Sequence, residues 1–225
     1  MSQIEQSLRR IFGRMEAAAK RSGRRLNEIT LVAASKGARP EQVEEAARCG
    51  VAVFGENRVQ EAEEKFSESG FPARSGSVSV HLIGPLQTNK VKRAVGFFDL
   101  IHSIDSQRLA EKVAQEAARR SMIQSVLVEV NVGEEKSKRG ISVEEAPRLV
   151  EMVRTLPHLS LLGLMTLPPP TPDPEGARPY FSRLRELGRT WELNRFSMGM
   201  SADFEVAIEE GATWVRVGTA IFGKR

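Results

Sequence analysis

The sequence predicts an α/β chain folded as a single (β/α)8 barrel, and three observations lead there. Short, mostly apolar runs alternate eight times with longer segments whose apolar residues recur every three or four positions. No break in composition divides one unit from the next. The first run, Thr30 to Lys36, reads as a strand buried on both faces, as parallel strands are, and it ends on a cation. Right-handed crossovers are the default between parallel strands, and eight units are enough for closure. Periodicity alone does not show closure, so an open doubly wound sheet is the competing architecture. Residues 1–225 are taken as one domain, with 1–28 as an opening helix and lead-in.

Each element has a local signal. Ser2 and Glu5 stand in capping-box spacing before Ile4, Leu8, Ile11, Phe12 and Met15, which share one helical face. After the first strand, Pro40 starts a helix through Val43, Ala46 and Ala47 that Gly50 can end. Val51 to Phe54 is the second strand, and Asn57 follows it as Lys36 follows the first. A helix through Val59, Ala62 and Phe66 leads to a Gly/Ser/Pro-rich loop, Ser67 to Ser77. Val78 to Ile83 is the third strand, before a helix through Val91 and Val95, and Leu100 to Ile104 is the fourth. Ser106 caps a helix through Leu109, Val113 and Ala117, and Val126 to Val130 is the fifth strand. Ser142 and Glu145 open a capped helix with Val150, Val153 and Leu156 on its core face. Leu161 to Thr166 is the sixth strand. The proline-packed stretch after it, Leu167 to Gly176, reads as a stiff excursion that is neither helix nor sheet. A helix through Phe181, Leu184 and Leu187, a strand at Arg195 to Met198, a helix at Ala202 to Glu210 and a strand at Thr213 to Val217 complete the series.

Composition narrows the function classes. Thirty-three lysines and arginines against 29 acidic residues give a net charge of +4 without a block of one sign, and only 6% of residues are aromatic. A nucleic-acid groove has little to be made from. Cys49 is the only cysteine, which excludes an internal disulfide and a cysteine metal cluster and accords with a reducing, cytoplasmic setting. The N-terminal residues lack the apolar run of a signal peptide, and no stretch has the length of apolar sequence that a membrane span needs. The chain is read as soluble. No spacing among His81, His102, His158 and the carboxylates suggests a metal site.

The chemistry is expected at the carboxyl ends of the strands, where barrels of this kind carry their sites. Lys36 has two readings: a surface lysine capping its strand, or an amine whose pKa the preceding apolar run lowers, ready to attack an aldehyde. The segments SMGMSAD from Ser197 and VRVGTAIFG from Val215 follow the seventh and eighth strands, the usual place for a phosphate site. Ser201, at or beside a helix N-cap, Gly218 and Thr219 would form the cup. Ser201 as an ordinary cap and Gly218 as a tight turn is the alternative. Arg216 alternates out of step with Val215 and Val217 and so points to the barrel mouth, or pairs with Glu205 or Glu209. An arginine can only donate; beside a pyridine nitrogen it would keep that nitrogen unprotonated. An imine-forming lysine, a phosphate cup and an arginine for a ring nitrogen together describe pyridoxal 5′-phosphate (PLP).

Ser35-Lys36, Gly55 to Asn57, HLIGPLQTNK at His81 to Lys90, GLMTL at Gly163 to Leu167, SMGMSAD and VRVGTAIFG together resemble the signature of the pyridoxal phosphate homeostasis proteins, which are similar to the barrel domain of alanine racemase. The likeness runs from about Ile29 to the end; its one departure is the GAR spacer between Lys36 and Pro40. The resemblance implies that Lys36 holds the cofactor as a Schiff base, that Ser201, Gly218 and Thr219 hold its phosphate, that Arg216 faces the pyridine nitrogen and that Asn57 lies beside the ring. It also implies intracellular binding, buffering or delivery of PLP by a monomer, with apo PLP enzymes as recipients. Racemization needs a base on each face of the adduct, and Tyr180, the only tyrosine, lies on the helix after the proline-rich loop. Turnover is therefore expected to be poor. A small PLP racemase and a cofactor-free sugar-phosphate enzyme are the alternatives.

Overall fold

The computed structural model describes residues 1–67, 78–135 and 138–223. Parallel strands close into a barrel with helices between them. Strand β1 (Thr30–Ala34) pairs with β2 (Val53–Glu56) on one side and β9 (Trp214–Val217) on the other. The circuit continues from β2 through β3 (Ser79–Leu82) and β4 (Leu100–Ile104) to β5 (Gln124–Asn131). It returns through β7 (Leu159–Met165) and β8 (Phe196–Ser197) to β9. The β4–β5 pairing closes the circuit, and the two-residue strand β6 (Ile141–Ser142) adds to the far end of β5. These eight barrel strands are the predicted ones, and the open-sheet alternative is excluded. The expected loop at Ser67 to Ser77 falls, beyond Ser67, outside the described residues.

Alternation along the strands divides the core into two shells. Leu31, Ala33, Phe54, Val80, Leu82 and Ile101 face outward against the helices. Val32, Ile83, Leu100, Leu127, Met165 and Trp214 fill the barrel. Toward the carboxyl ends of the strands the same inward series turns polar: His102 follows Leu100, Glu129 follows Leu127 and Arg216 follows Trp214, all buried. An apolar floor thus carries a polar layer directly below the mouth.

The helices form where the periodicity placed them, with changes at their ends. Helix α1 (Gln3–Arg21) buries Ile4, Leu8, Ile11 and Met15, and Ser2 Oγ accepts the Glu5 N–H at 3.1 Å. It lies against α8 (Phe204–Glu209), tied there by Arg14–Glu205 at 2.8 Å and Arg21–Glu209 at 2.6 Å. Helix α2 (Pro40–Arg48) begins at its proline and is capped by Cys49; α3 (Val59–Ser67) and the one-turn α4 (Val91–Ala94) follow β2 and β3. Ser106 occupies the N-cap of α5 (Gln107–Arg119), yet its hydroxyl does not cap the helix; it donates to Asp105 Oδ1 at 3.2 Å. Ser142 and Glu145 bond each other as expected, but in the turn before α6 (Ala146–Thr155), whose N-cap is Glu145 itself. The proline-rich stretch is not wholly irregular. Asp173 Oδ1 accepts the Glu175 N–H at 3.0 Å, and Pro174, which needs no donor at a first turn, starts a 3₁₀ segment, Pro174–Ala177, running into α7 (Arg178–Thr190). Among the described residues no helix is long and apolar enough to cross a membrane, and no group of three or more His, Cys, Asp or Glu could hold a metal ion.

Candidate functional site

A cleft of about 780 Å³ opens at the carboxyl ends of β1, β2 and β9, within the roughly 300–1,000 Å³ of small-molecule sites. Lys36, Asn57, Ser201, Arg216, Gly218 and Thr219 all line it. The six residues singled out in the sequence are therefore brought together, from four different loops or strand ends. Ile83, Leu167, Met200 and Phe222 supply apolar wall that sequence reasoning had not singled out. A hollow at the other end of the barrel, about 620 Å³ beside Ala47, Arg48 and Val78, has no comparable convergence of polar groups.

Lys36 does not stand at the tip of β1. The strand ends at Ala34, and Lys36 is carried two residues further on a turn closed by Ala38 N–H to the Ser35 carbonyl at 2.9 Å, with Gly37 at φ 65°. Its side chain is exposed to the cleft and not enclosed by the apolar strand, which corrects the expectation of desolvation. The β1–β2 register, Ala34 opposite Gly55, sets Lys36 and Asn57 side by side at the mouth. A Cβ on Gly84 would stand 2.4 Å from the Asn57 carbonyl oxygen, so only glycine lets the loop after β3 pack against Asn57. Ser103 Oγ fixes that loop by donating to the Gly84 carbonyl at 2.7 Å.

In the loops after β8 and β9, Thr219 Oγ1 donates to Ser201 Oγ at 3.2 Å. Ser201 is not an N-cap. Asp203 takes that position, and its carboxylate accepts the Met200 N–H at 2.6 Å, which closes a turn and delays α8 to Phe204 instead of Ala202. That turn uses the amides of Met200, Asp203 and Phe204. Among the described residues no hydrogen bond engages those of Ser201 and Ala202. Gly218 is the N-cap of the short α9 (Thr219–Phe222), whose first amides have no partner within the helix. A Cβ there would meet the Ala34 carbonyl oxygen at 2.9 Å, so glycine is required by the approach of β1.

Arg216 is buried at the floor of the cleft. Its Nη1 donates to Ser197 Oγ at 2.6 Å and its Nη2 to the Thr166 carbonyl at 2.9 Å. The ion pairs considered for it do not form: Glu205 binds Arg14, and Glu209 binds Arg21 and Arg178. Burial pulls its pKa down to about 10, with Glu129 and Asp203 acting the other way, so it remains a cation at neutral pH. Ser197 Oγ also lies 2.8 Å from His102 Nδ1, and His102 Nε2 lies 3.0 Å from His81 Nδ1. Burial lowers His81 to about 4 and His102 well below its usual value, so both rings are neutral. Ser197 Oγ already accepts from Arg216, and its own proton needs an acceptor, which among the described residues is His102 Nδ1. His102 Nε2–H then donates to His81 Nδ1, and the chain runs in one direction from the guanidinium. Glu129, also in this layer, is pushed up to about 7 by burial and by Asp105, against Arg216 and Arg139. The sequence pattern assigns Ser197, Thr166 and Glu129 no role in supporting Arg216. Neither Tyr180 nor His158 lines the cleft: Tyr180 packs on α7 against the core, and His158 Nδ1 donates to the Met122 carbonyl at 3.0 Å.

A second cleft of about 570 Å³ adjoins the first through Lys36 and Asn57 and is lined by Arg58, Gln60, Glu61, Gln87, Lys90 and Arg139.

The family model for the N-terminal domain of alanine racemase matches residues 10–225. A pyridoxal phosphate homeostasis protein of Aquifex aeolicus is 46% identical over 224 residues, 97% of this chain and 96% of that one. Among solved structures, an unknown protein from Bifidobacterium adolescentis superposes with a TM-score of 0.91 at 36% identity, covering 98% of this chain and 94% of the other. PipY of Synechococcus elongatus, with PLP bound, gives a TM-score of 0.76 at 34% identity, with 87% and 93% covered. The chain belongs to the pyridoxal phosphate homeostasis protein family, built on the alanine racemase N-terminal barrel.

Proposed function

We propose that this protein binds pyridoxal 5′-phosphate and serves its homeostasis by binding, buffering or delivering it, with Lys36 as the Schiff-base anchor and without robust turnover. The observation that carries the reading is one cleft lined both by Lys36 and by the hydrogen-bonded hydroxyls of Ser201 and Thr219. The residues fit the group. Two hydroxyls, the amides of two turns and the close approach at Gly218 suit a phosphate, and among the described residues no carboxylate lines the cleft to repel one. Bound PLP supplies an aldehyde for the amine and a ring that can delocalise an electron pair.

Each wall then has a task. Ser201, Gly218 and Thr219 hold the phosphate, Asn57 lies beside the ring, and Ile83 and Leu167 exclude water from it. Arg216, held in place by Ser197 and Thr166, would face the ring nitrogen; a guanidinium can only donate, so the nitrogen would stay unprotonated and the ring a weak electron sink. Apart from Lys36, the cleft lining contains no carboxylate, histidine, tyrosine or cysteine among the described residues, so a second acid–base group for racemization is not at hand. This supports a carrier over an enzyme. The reading includes a monomer in the cytoplasm with apo PLP enzymes as recipients.

The test mixes the loaded protein with an apo PLP enzyme and, separately, with a panel of amino acids in deuterated water. Activation of the apoenzyme without exchange of amino-acid α-protons supports the proposal. Exchange at a rate useful for catalysis would overturn its non-catalytic half.

A further inference from the structure

We propose that Lys65, Glu56 and Ser35 form a buried staple that positions Lys36 for bond formation with the ligand's aldehyde, so that covalent capture depends on charges outside the cleft. The inference rests on the reading of Lys36 as the anchoring amine. Ser35 and Glu56 are the residues directly before Lys36 and Asn57, and both are wholly buried; Lys65 reaches them from α3 at 8% exposure. Lys65 Nζ donates to Glu56 Oε1 at 2.6 Å and to the Ser35 carbonyl at 2.7 Å, and Ser35 Oγ donates to the same Glu56 oxygen at 2.7 Å. The Ser35 N–H is bound as well, to the Gly55 carbonyl at 3.0 Å.

The Ser35 carbonyl is the point at which the staple meets the site. It is the acceptor that closes the turn carrying Lys36, and its remaining lone pair takes the Lys65 ammonium. Every polar group of Ser35 is therefore engaged, and the Cα of Lys36 departs from a fixed origin. Lys36 needs such an origin because its own side chain is long, exposed and free to turn. Glu56 Oε2 is buried without a hydrogen-bond partner among the described residues, so the carboxylate is oriented through one oxygen and depends on Lys65 and Ser35 together. A buried ion pair is a weak source of stability, since desolvation offsets its attraction. What this pair adds is geometry, and misplacing a reacting group by about 1 Å can cost on the order of 100-fold.

The double substitution Lys65→Met with Glu56→Gln removes both charges at nearly constant volume, so the fold should persist with an unchanged or higher Tm. Dissociation constants are measured for PLP and for pyridoxine 5′-phosphate, which fills the same cleft with an alcohol in place of the aldehyde. The expected result is an unchanged constant for pyridoxine 5′-phosphate, a constant for PLP raised about tenfold or more, and a weaker Schiff-base absorbance. Equal weakening of both ligands makes the network merely structural and overturns the proposal, as does no weakening of either. If the double variant does not fold, Ser35→Ala, which removes one bond of the three, should lower the PLP preference about threefold; an unchanged preference refutes the staple. Lys36→Ala is the separate control. Should it keep the full preference for PLP, the anchoring role itself fails, whatever the staple does.

Discussion

Arg216 Nη1 donates to Ser197 Oγ across 2.6 Å in the interior of the barrel, and that single bond joins the cleft to the two buried histidines. Ser197→Ala leaves a buried guanidinium donor without its acceptor and His102 without its donor. The expected loss of stability is about 1–3 kcal/mol, seen as a fall of several degrees in Tm. PLP should also bind more weakly, because Arg216 is then held by the Thr166 carbonyl alone. An unchanged Tm would show that the chain from Arg216 to His81 carries no load.

Two buried groups inside the barrel give pH dependences of opposite sign. His81 has its folded pKa lowered from 6.5 to about 4 by burial. Between those values the unfolded chain binds the proton and the folded one does not, so stability is lost as pH falls from 6.5 toward 4, by about 3 kcal/mol for this residue. Glu129 has its folded pKa raised from 4.5 to about 7, so its contribution is present at low pH and lost as pH rises through 7. Glu129→Gln should therefore be relatively more stable at pH 8 than at pH 4.5 when compared with the parent. Denaturant titrations at the two pH values measure this, and an NMR titration of the imidazoles should show His81 neutral down to about pH 4.

Much of this was legible in the sequence, for a physical reason. Strand ends that carry Lys36 and Asn57, and the loops after the seventh and eighth strands, are read by order along the chain, and order fixes position once a parallel barrel is assumed. Which of Ser201 and Asp203 caps α8 is not legible, because both are good caps within three residues and only the bond from Met200 N to Asp203 decides between them. The support below the cleft was not legible. His81 and His102 meet because β3 and β4 pair, and Lys65 reaches Glu56 because α3 folds back over β2; neither follows from local pattern.

Ser201 and Thr219, proposed to hold the phosphate, can be tested separately from the rest of the cleft. Ser201→Ala and Thr219→Val each remove a hydroxyl expected on an anion, where a charge-assisted bond is worth about 1.5–3 kcal/mol. PLP should lose roughly tenfold or more in affinity in each variant, whereas pyridoxal, which lacks the phosphate, should bind as before. Parallel loss for both ligands would place the phosphate elsewhere.

Close approach at Gly84 gives a further test. A Cβ there stands 2.4 Å from the Asn57 carbonyl oxygen, and the obstacle is backbone, which cannot turn aside as a side chain can. Gly84→Ala should destabilise the fold by about 1–3 kcal/mol and displace Asn57 from the cleft, read as a fall in both Tm and PLP affinity.

The proposed function requires that the amine of Lys36, among all lysines of the chain, take the aldehyde. Borohydride reduction of the PLP-loaded protein followed by peptide mass spectrometry reads this out. A single phosphopyridoxyl label is expected on the peptide containing Lys36, and none in Lys36→Ala. A label on Lys90 or Lys65, or labelling that survives in Lys36→Ala at the same stoichiometry, would contradict it.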